Sequence, residues 1–501
     1  MIFRDWLKEL DYTLLQGSVD VETEDVIYDS RKAAPGKVFV AMKGIRVDGH
    51  SFIPQVLKAG VRVLVTERPV EEELKNSGLS EEELKQVTVV MVEEGRHALA
   101  LLSAARFDHP AKKLVMIGVT GTKGKTTTTH MIRAILLAAG KKVGMIGTTG
   151  TVIGDVVTPT LNTTPESYEL HQAFAQMVEA GCEYAVMEVS SQGIKMHRTD
   201  GLYFNYAIFT NISPDHIGPG EHADFEEYLY YKTRLLNMCG IGLVNKDDKH
   251  APQIIKAANC ELYTYSEESK EADFVASDIR YVSQPDFVGT EFHISGKYDM
   301  EVRLGIPGLF NVVNALAAVS VCSFLGLDQA RISHALENIR VNGRMEIVYT
   351  SERCTVLVDY AHNAVSMESL LSTLRDYKPK RLVCVFGCGG NRSKDRRYSM
   401  GEIGGKMADL SIITADNSRY EKVEDIIADI CGSIEKTGGK FIEIPDRREA
   451  IRYSILHAQP GDMVAVIGKG HEDYQEINGV RHHFLDREVI EETVKELGEK
   501  A

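Results

Sequence analysis

The segment Gly118–His130, GVTGTKGKTTTTH, decides the fold of this chain. It joins an apolar run at residues 114–120, LVMIGVT, to a stretch with helical character at residues 126–140, TTTTHMIRAILLAAG. A buried strand that enters a glycine-rich turn and leaves it as a helix aims backbone N–H groups and the helix dipole at an anion. We therefore predict a phosphate-binding loop.

The loop departs from the common P-loop pattern G-x-x-x-x-G-K-[ST], which would need glycine at Val119. Lys125 supplies a positive charge for the β- and γ-phosphates of a nucleotide, and the hydroxyl of Thr126 can ligate Mg²⁺. The alternative interpretation is a glycine-rich turn capped by threonines. The candidate nucleotide contacts are Gly121, Thr122, Lys123, Gly124, Lys125, Thr126 and Thr127.

Bulk properties narrow the class of protein. A chain of 501 residues should form about three domains at ~150 residues each. The net charge of −15 argues against an extended nucleic-acid surface, because such binding depends on neutralising phosphates. The eight cysteines lack metal-ligand spacing, the N-terminus is too charged for a signal peptide, and no apolar run is long enough to span a membrane. We expect a cytoplasmic protein with free thiols.

Strand-like runs alternate with helical patterns along the whole chain, which predicts α/β domains with mainly parallel sheets. We expect a small N-terminal α/β domain over residues 1–110, with FDHPAKK (residues 107–113) as a linker. A central, P-loop-type, doubly wound ATPase domain is expected over residues 111–344. The runs TVLVDYA, RLVCVFG, LSIITAD and MVAVIGKG predict a Rossmann-like third domain over residues 345–501. In such sheets ligands bind outside the carboxyl ends of strands, which is where the motifs lie.

The short loop, TGTKGKTT, resembles that of the Mur ligases and the folylpolyglutamate synthetases. Further motifs occur in the order found in the Mur ligase family, and the likeness covers nearly the full chain. Within that family the set resembles the ligases that add the third peptide residue to UDP-N-acetylmuramoyl-L-alanyl-D-glutamate. The motifs are DSR, NTTPES, MEVSSQ, TNISPDHIG, GLFNVVNALAA, NGRME, VDYAHN, FGCGGNR and GKGHEDYQ.

The resemblance implies an ATP-dependent reaction in which the D-glutamate carboxylate is phosphorylated and then attacked by the amine of a diamino acid. It implies Mg²⁺ ligands at Thr126, Glu188 and His216, and at Lys232 as a CO₂-derived carbamate. With Lys125, the last three form the expected catalytic set. The alternatives are a solvent-facing carboxylate for Glu188 at the end of its strand, a structural histidine for His216 and a solvated lysine for Lys232.

The remaining site residues also follow from the resemblance. Asn311 and Asn314 share one helical face and match an adenine-binding pair, although Asn311 could be a helix cap. Arg344 and Asp359 match contacts to the ribose and phosphates, so closure of two domains on ATP is expected. The implied UDP-sugar-peptide contacts are Ser30, Asn162, Thr163, Thr164, Ser190 and Arg198, with a helix-entry cap as the alternative for NTTP. The implied amino-acid contacts are Arg392, Asp416, Asn417, Ser418, Arg419, Gly468 and Glu472.

Arg419 decides which amino acid is expected. In relatives that add meso-diaminopimelate the turn reads D-N-P-R, and its arginine pairs with the carboxylate that lysine lacks. Here Ser418 replaces the proline but the arginine remains, so we expect meso-diaminopimelate, with L-lysine or another diamino acid as the alternative.

Other departures are Lys123 for asparagine, Gln192 for histidine, Met196 for a polar residue, and HNAVS for His-Thr-Pro-Asp. A folylpolyglutamate-type ligase and a non-catalytic nucleotide sensor are the rival classes. A folylpolyglutamate-type ligase would lack the first domain, and a sensor would be expected to lose Lys125, Glu188 or Lys232. The family is commonly monomeric, so a monomer is expected.

Overall fold

The structure, a computed structural model, describes residues 1–44 and 47–498. The chain divides into two compact units, Met1–Tyr265 and Ser266–Ala501. This division falls inside the predicted central segment, so the domain boundaries at residues 110 and 344 stay predictions. The α/β class with mainly parallel sheets is confirmed.

The first unit begins with a five-stranded sheet of order β1-β5-β4-β3-β2, in which only β1 is antiparallel to its neighbour. Apolar side chains cover both faces of this sheet. Its strands are β1 (Thr13–Gln16), β2 (Asp25–Ile27), β3 (Lys37–Val40), β4 (Val63–Thr66) and β5 (Thr88–Met91). Its helices are α1 (Phe3–Trp6), α2 (Ile53–Lys58), α3 (Glu71–Lys75), α4 (Glu81–Leu84) and α5 (Gly95–Arg106), with short 3-10 helices at Ser30–Lys32 and Gly49–Phe52.

The predicted linker is packed rather than open. Its second half forms a 3-10 helix at Pro110–Lys113. Ala111 and the following Leu114 are buried in the apolar core of the next sheet. The proline and charged residues that suggested a linker therefore belong to a turn that packs against the core of the second sheet.

The second sheet of this unit is doubly wound, as predicted. Its strands are β6 (Val115–Thr120), β7 (Val143–Gly147), β8 (Gly150–Ile153), β9 (Val156–Thr158), β10 (Tyr184–Glu188), β11 (Phe204–Phe209), β12 (Cys239–Asn245) and β13 (Glu261–Ser266). Their order is β13-β12-β11-β6-β10-β7-β8-β9. The strands from β13 to β7 are parallel, and β8 is antiparallel to both β7 and β9. The helices are α6 (Lys125–Ala138), α7 (Ser167–Glu179), α8 (Ser191–Lys195), α9 (Phe225–Thr233) and α10 (Ala251–Ala257), with a 3-10 helix at Arg234–Asn237. Strand order reverses at β6, so its carboxyl end opens onto a crevice.

The second unit begins with an antiparallel meander that the sequence did not predict. It comprises β14 (Phe274–Gln284), β15 (Phe287–Gly296) and β16 (Met300–Leu304), followed by α11 (Leu309–Phe324) and α12 (Gln329–Glu337). Tyr377 donates to or accepts from Thr290 across 2.9 Å and accepts from the N–H of Gly308, which fixes the entry to α11.

The third sheet has the order β17-β18-β22-β19-β20-β21 and is parallel except for β17. Its strands are β17 (Glu346–Thr350), β18 (Cys354–Asp359), β19 (Arg381–Phe386), β20 (Leu410–Ile413), β21 (Phe441–Glu443) and β22 (Asp462–Ile467), and β23 (Tyr474–Ile477) and β24 (Val480–His483) form a separate hairpin. The helices are α13 (Ala364–Asp376), α14 (Lys394–Met407), α15 (Val423–Thr437), α16 (Arg447–Leu456) and α17 (Asp486–Glu496). All four predicted strands are present. The predicted amino-acid contacts follow β19, β20 and β22, and Asp359, a predicted ATP contact, ends β18. Within the described residues no helix is long and apolar enough to cross a membrane.

Candidate active site

The glycine-rich loop connects β6 to α6 directly. Gly124 is the N-cap of α6 with φ of 85°, and Gly121 has φ of 141°. A Cβ at Gly121 would collide with the side chain of Thr210, so both the backbone angle and the close approach require glycine. The loop therefore has the strand–turn–helix context of an anion site.

The segment that follows β11 holds the glycine-rich loop through hydrogen bonds. The N–H groups of Thr122 and Lys123 donate to the backbone and side-chain oxygens of Asn211, both across 2.9 Å. The N–H of Ser213 donates to the Thr122 hydroxyl across 3.0 Å. The motif TNIS, which follows β11, therefore fixes the conformation of the loop.

Two lysines converge on this loop. The Nζ of Lys125 donates to the carbonyl oxygens of Gly121 and Thr122, across 2.8 and 3.1 Å. The Nζ of Lys232, on α9, donates to the same Gly121 oxygen across 2.8 Å and lies 4.7 Å from the centre of the Tyr228 ring. Lys232 is buried, and burial followed by the charge of Lys125 holds its pKa well below the ordinary lysine value. The alternative of a solvated lysine is wrong.

Glu188, at the end of β10, is also buried and not solvent-facing. Its Oε1 accepts from the Thr126 hydroxyl across 3.0 Å and from the N–H of Thr148 across 2.9 Å. Gly147 lies against the carboxylate, where an added Cβ would collide with Oε1. A carboxylate beside a hydroxyl is an oxygen donor set of the kind that Mg²⁺ binds, so Glu188 and Thr126 fit that ion.

His216 occupies an exposed turn and has φ of 53°. Its Nδ1 lies 3.1 Å from Glu221, and its ring centre lies 6.2 Å from that of Tyr228. The Tyr228 hydroxyl is 3.1 Å from the Thr122 hydroxyl, so this tyrosine connects the turn to the loop. A metal role for His216 stays a prediction.

Among the predicted sugar-peptide residues of NTTP, Thr164 contacts the end of β10. Thr164 is buried; its hydroxyl donates to the Glu188 carbonyl and accepts from the N–H of Ser190, both across 3.0 Å. Arg198 donates to the Thr164 carbonyl across 2.9 Å and pairs with Glu166 at 2.6 Å. The helix-cap alternative for NTTP is wrong, because the N-cap of α7 is Glu166, without a side-chain cap bond.

The other predicted UDP-sugar-peptide contacts lie in three different segments. The Thr163 hydroxyl is 3.1 Å from that of Thr148, and Asn162 is exposed beside it. Ser190 caps α8 by accepting from the N–H of Gly193. Ser30 begins the 3-10 helix that Asp29 caps, next to the first sheet.

In the second unit, Asn311 and Asn314 are both buried on α11. Asn311 donates to the Pro307 carbonyl across 2.6 Å, and Asn314 donates to the Asn311 side-chain oxygen across 3.2 Å. Gly308 is the N-cap of α11, so the helix-cap alternative for Asn311 is wrong.

Arg344 and Asp359 lie near each other in the same unit. The Arg344 guanidinium stacks 5.0 Å from the centre of the Tyr360 ring. The Asp359 carboxylate accepts from the N–H groups of Met345 and Ala361, each across 2.8 Å, and burial raises its pKa. The backbone contacts orient both oxygens of this carboxylate.

The predicted amino-acid residues border one cavity of about 420 Å³ at the carboxyl ends of the third sheet. Ser418 is buried beside Arg419 and is not part of the cavity wall. The predicted residues in the wall are Arg392, Asp416, Asn417, Arg419, Gly468 and Glu472. Sequence reasoning missed Tyr360, His362, Gly387, Cys388, Gly389, Arg396 and Tyr474, although most stand inside the motifs VDYAHN, FGCGGNR and GKGHEDYQ.

Groups of both charges line this cavity. Arg419 is in the left-handed region, with φ of 51°; it donates to the Gly390 carbonyl across 2.8 Å and lies 3.4 Å from Glu476. Glu472 accepts from Asn417 across 3.0 Å and lies 3.3 Å from the buried ammonium of Lys469. The cavity therefore offers cationic and anionic groups to a ligand that carries both charges.

Three family models match consecutive parts of the chain. They describe a Mur ligase family catalytic domain over residues 23–107, a Mur ligase middle domain over residues 119–322, and a Mur ligase glutamate ligase domain over residues 343–470. The chain belongs to the Mur ligase family.

The individual proteins that this chain resembles include several that share one name. A protein of Caldanaerobacter subterraneus subsp. tengcongensis named UDP-N-acetylmuramoyl-L-alanyl-D-glutamate--2,6-diaminopimelate ligase is 39% identical over 498 residues, which are 98% of this chain and 98% of that protein. A protein of Clostridium perfringens with the same name is 37% identical, over 98% of this chain and 99% of that protein. A solved structure of a ligase of that name has a TM-score of 0.73 at 30% identity, covering 95% of this chain and 96% of that one.

Proposed function

We propose that this protein is an ATP-dependent acid–amino-acid ligase that adds meso-diaminopimelate to UDP-N-acetylmuramoyl-L-alanyl-D-glutamate during peptidoglycan precursor synthesis. Family membership and the names of the near full-length relatives support the reaction class. One observation of the structure carries the proposal. Arg419 and Glu472 line the same cavity, which suits an amino acid whose side chain ends in both a carboxylate and an ammonium group.

In the first step, the D-glutamate carboxylate attacks the γ-phosphorus of ATP, the bond to the bridging oxygen breaks, and ADP leaves. Lys125 and the N–H groups of the loop that do not donate to Asn211 bind the phosphates. Bound Mg²⁺ would screen the repulsion between the two anions. We propose that Thr126, Glu188, His216 and carbamoylated Lys232 hold the metal. Asn311, Asn314, Arg344 and Asp359 would contact the nucleoside and phosphates.

The surroundings of Lys232 support the proposed carbamate. A neutral amine adds to CO₂, forming an N–C bond and releasing a proton, and a buried lysine beside a second ammonium favours the neutral form. The product is an anion. It would replace repulsion between Lys232 and Lys125 with attraction, and would supply an oxygen ligand close to the loop.

In the second step, the diamino acid amine attacks the acyl phosphate carbon, a tetrahedral intermediate forms, and phosphate leaves. We propose that Arg419 pairs with the far carboxylate of meso-diaminopimelate and Glu472 with its ammonium, while Arg392, Asp416, Asn417 and Gly468 orient the rest. Ser418 would leave the turn less rigid than proline. Ser30, Asn162, Thr163, Thr164, Ser190 and Arg198 would bind the UDP-sugar-peptide, with Gln192 and Met196 altering its details.

The rival classes predict different site chemistry. A non-catalytic sensor would be expected to lose one of Lys125, Glu188 and Lys232, and a folylpolyglutamate-type ligase would lack the first domain, which residues 23–107 match. Addition of L-lysine instead would leave Arg419 without a ligand carboxylate to contact.

We further propose that the protein is a cytoplasmic monomer with the domain boundaries given above.

Phosphate release tests the proposal. The purified chain with ATP and Mg²⁺ should release phosphate only when both UDP-N-acetylmuramoyl-L-alanyl-D-glutamate and a diamino acid are present, and mass spectrometry should find the tripeptide product. Release with folate and glutamate, or none with any amino acid, would contradict the assignment.

A further inference from the structure

A cluster of two histidines and one aspartate lies outside the candidate active site. His97 is on α5, and His197 and Asp200 are in the turn that follows α8. The Oδ2 of Asp200 lies 2.6 Å from the Nδ1 of His97 and 2.8 Å from the Nδ1 of His197. Among residues 1–44 and 47–498, this is the one group of three potential ligands whose donor atoms all lie within 4.8 Å of one another.

The backbone holds this arrangement. His197 has φ of 56°, an uncommon left-handed conformation that turns the chain sharply, and its N–H donates to the Ile194 carbonyl across 3.0 Å. The two imidazole rings are 6.3 Å apart and nearly perpendicular. All three residues are partly buried, so the cluster is still accessible from solvent.

We propose that His97, His197 and Asp200 form a binding site for a first-row transition metal ion, with Zn²⁺ as the preferred occupant. Two imidazole nitrogens and one carboxylate oxygen form a three-ligand set that water completes to four. Tetrahedral bonds of ~2.0–2.1 Å would separate ligand atoms by about 3.3 Å. The two separations from Asp200 Oδ2, 2.6 and 2.8 Å, are shorter than that value, and all three donor atoms lie within 4.8 Å of one another. An ion would therefore enter by small side-chain movements that open the two hydrogen bonds to Asp200.

The donor chemistry separates this site from the Mg²⁺ site of the proposed function. Imidazole suits Zn²⁺, Co²⁺, Ni²⁺ and Cu²⁺, whereas Mg²⁺ takes oxygen ligands. Metal binding replaces the two hydrogen bonds to Asp200, and the protons on the ligating nitrogens move to the other ring nitrogen or to solvent.

A metal here would connect α5 to the turn that precedes the second-sheet strand β11. Arg198 follows His197 directly, pairs with Glu166 and contacts Thr164. Binding would therefore stabilise the folded chain and restrict the segment that positions Arg198. The expected effect on the first unit is a metal-dependent rise in its unfolding temperature.

Titration of the full, chelator-treated chain with Co²⁺ in excess Mg²⁺ tests the proposal. We expect one equivalent to bind with the visible absorption of four-coordinate Co²⁺, and Zn²⁺ to displace it. His97→Gln and Asp200→Asn should each weaken binding by at least about tenfold, because each removes one of three ligands. His293→Ala is the matched control, since His293 pairs with Glu301 and Asp299 but has no second histidine in its cluster.

Circular dichroism and thermal unfolding establish that each variant is folded, and His97, whose side chain is 44% exposed, tolerates the change to glutamine most readily. Absence of stoichiometric Co²⁺ binding by the unaltered chain would overturn the proposal. Equal binding by the unaltered chain and a folded His97→Gln variant would also overturn it, and would leave the cluster as a hydrogen-bonded link between the two segments.

Discussion

The side-chain nitrogens of Lys125 and Lys232 both donate to the carbonyl oxygen of Gly121, each across 2.8 Å. One lysine belongs to the phosphate-binding loop and the other to α9, more than 100 residues later. Two ammonium groups on one oxygen repel each other, and the repulsion adds to burial in lowering the pKa of Lys232. The pair therefore places a positive charge and a lysine of lowered pKa at the same point of the loop.

Lys125→Ala removes the charge that we assign to the phosphates. We expect kcat to fall by about 100-fold or more, as when one preorganised stabilising donor is lost. Affinity for the UDP-sugar-peptide, measured by calorimetry without ATP, should stay near that of the unaltered chain, because a different set of residues binds it. Equal loss of both would indicate a folding defect rather than a nucleotide role.

Lys232→Ala removes the proposed carbamate. Activity should be lost and then partly restored by short carboxylic acids, since a free carboxylate can occupy the same space and carry the same charge. Phosphate release with increasing formate or acetate measures the rescue, and Lys125→Ala serves as a variant that these acids should not rescue. Full activity of Lys232→Arg with no rescue of Lys232→Ala would exclude the carbamate.

Gly147→Ala tests whether the Glu188 carboxylate holds Mg²⁺. The added methyl would collide with Oε1 and displace the carboxylate while leaving its charge in place. We expect the Mg²⁺ concentration for half-maximal activity to rise by about tenfold or more. Gly432→Ala is the matched control, because its added Cβ has no atom within 4 Å. An unchanged Mg²⁺ requirement in a folded Gly147→Ala protein would remove Glu188 from the ligand set.

His171 on α7 predicts a pH dependence of stability. It is buried, neither ring nitrogen has a partner among the described residues, and burial lowers its pKa to about 3. The unfolded chain, with a histidine pKa of ~6.5, binds this proton more readily, so stability falls as pH falls from about 6.5 towards 3. Between pH 7 and 5 the loss from this group should be about 2 kcal/mol.

His171→Leu should remove that part of the loss, as measured by denaturant unfolding at pH 7, 6 and 5. His457→Leu, at an exposed position, is the control and should keep the slope of the unaltered chain. The same slope in both variants would mean that His171 is not neutral in the folded protein.

The order of strands and helices was predictable wherever one buried strand led into a polar turn, as at β6, β10 and β19. The loop was predictable because its lysine and threonine follow a strand and begin a helix. Hairpins such as β23–β24 were missed, since their short, polar strands have little apolar alternation. β23 carries Tyr474, which lines the amino-acid cavity, and Glu476, which contacts Arg419, so part of the surroundings of that cavity was missed with the hairpin.

The burial of charged side chains was the other property that could not be predicted from the sequence. Lys232 sits in a helix rich in charged and aromatic residues and reads as solvated until α9 packs over the loop. Glu188 likewise reads as exposed until Gly147 and Thr148 close around it. NTTP has the residues of a helix cap, yet Thr164 bonds instead to the end of β10, a contact 24 residues away in sequence.

The ratio of kcat/KM for meso-diaminopimelate to that for L-lysine tests the central claim most directly. Arg419 can pair with the far carboxylate of meso-diaminopimelate and gains no such contact with L-lysine, so the unaltered chain should prefer meso-diaminopimelate by at least ~100-fold. Arg419→Ala should erase most of that preference, mainly by reducing turnover of meso-diaminopimelate. A comparable kcat/KM for lysine in the unaltered chain, or an undiminished preference in a folded Arg419→Ala variant, would contradict this account.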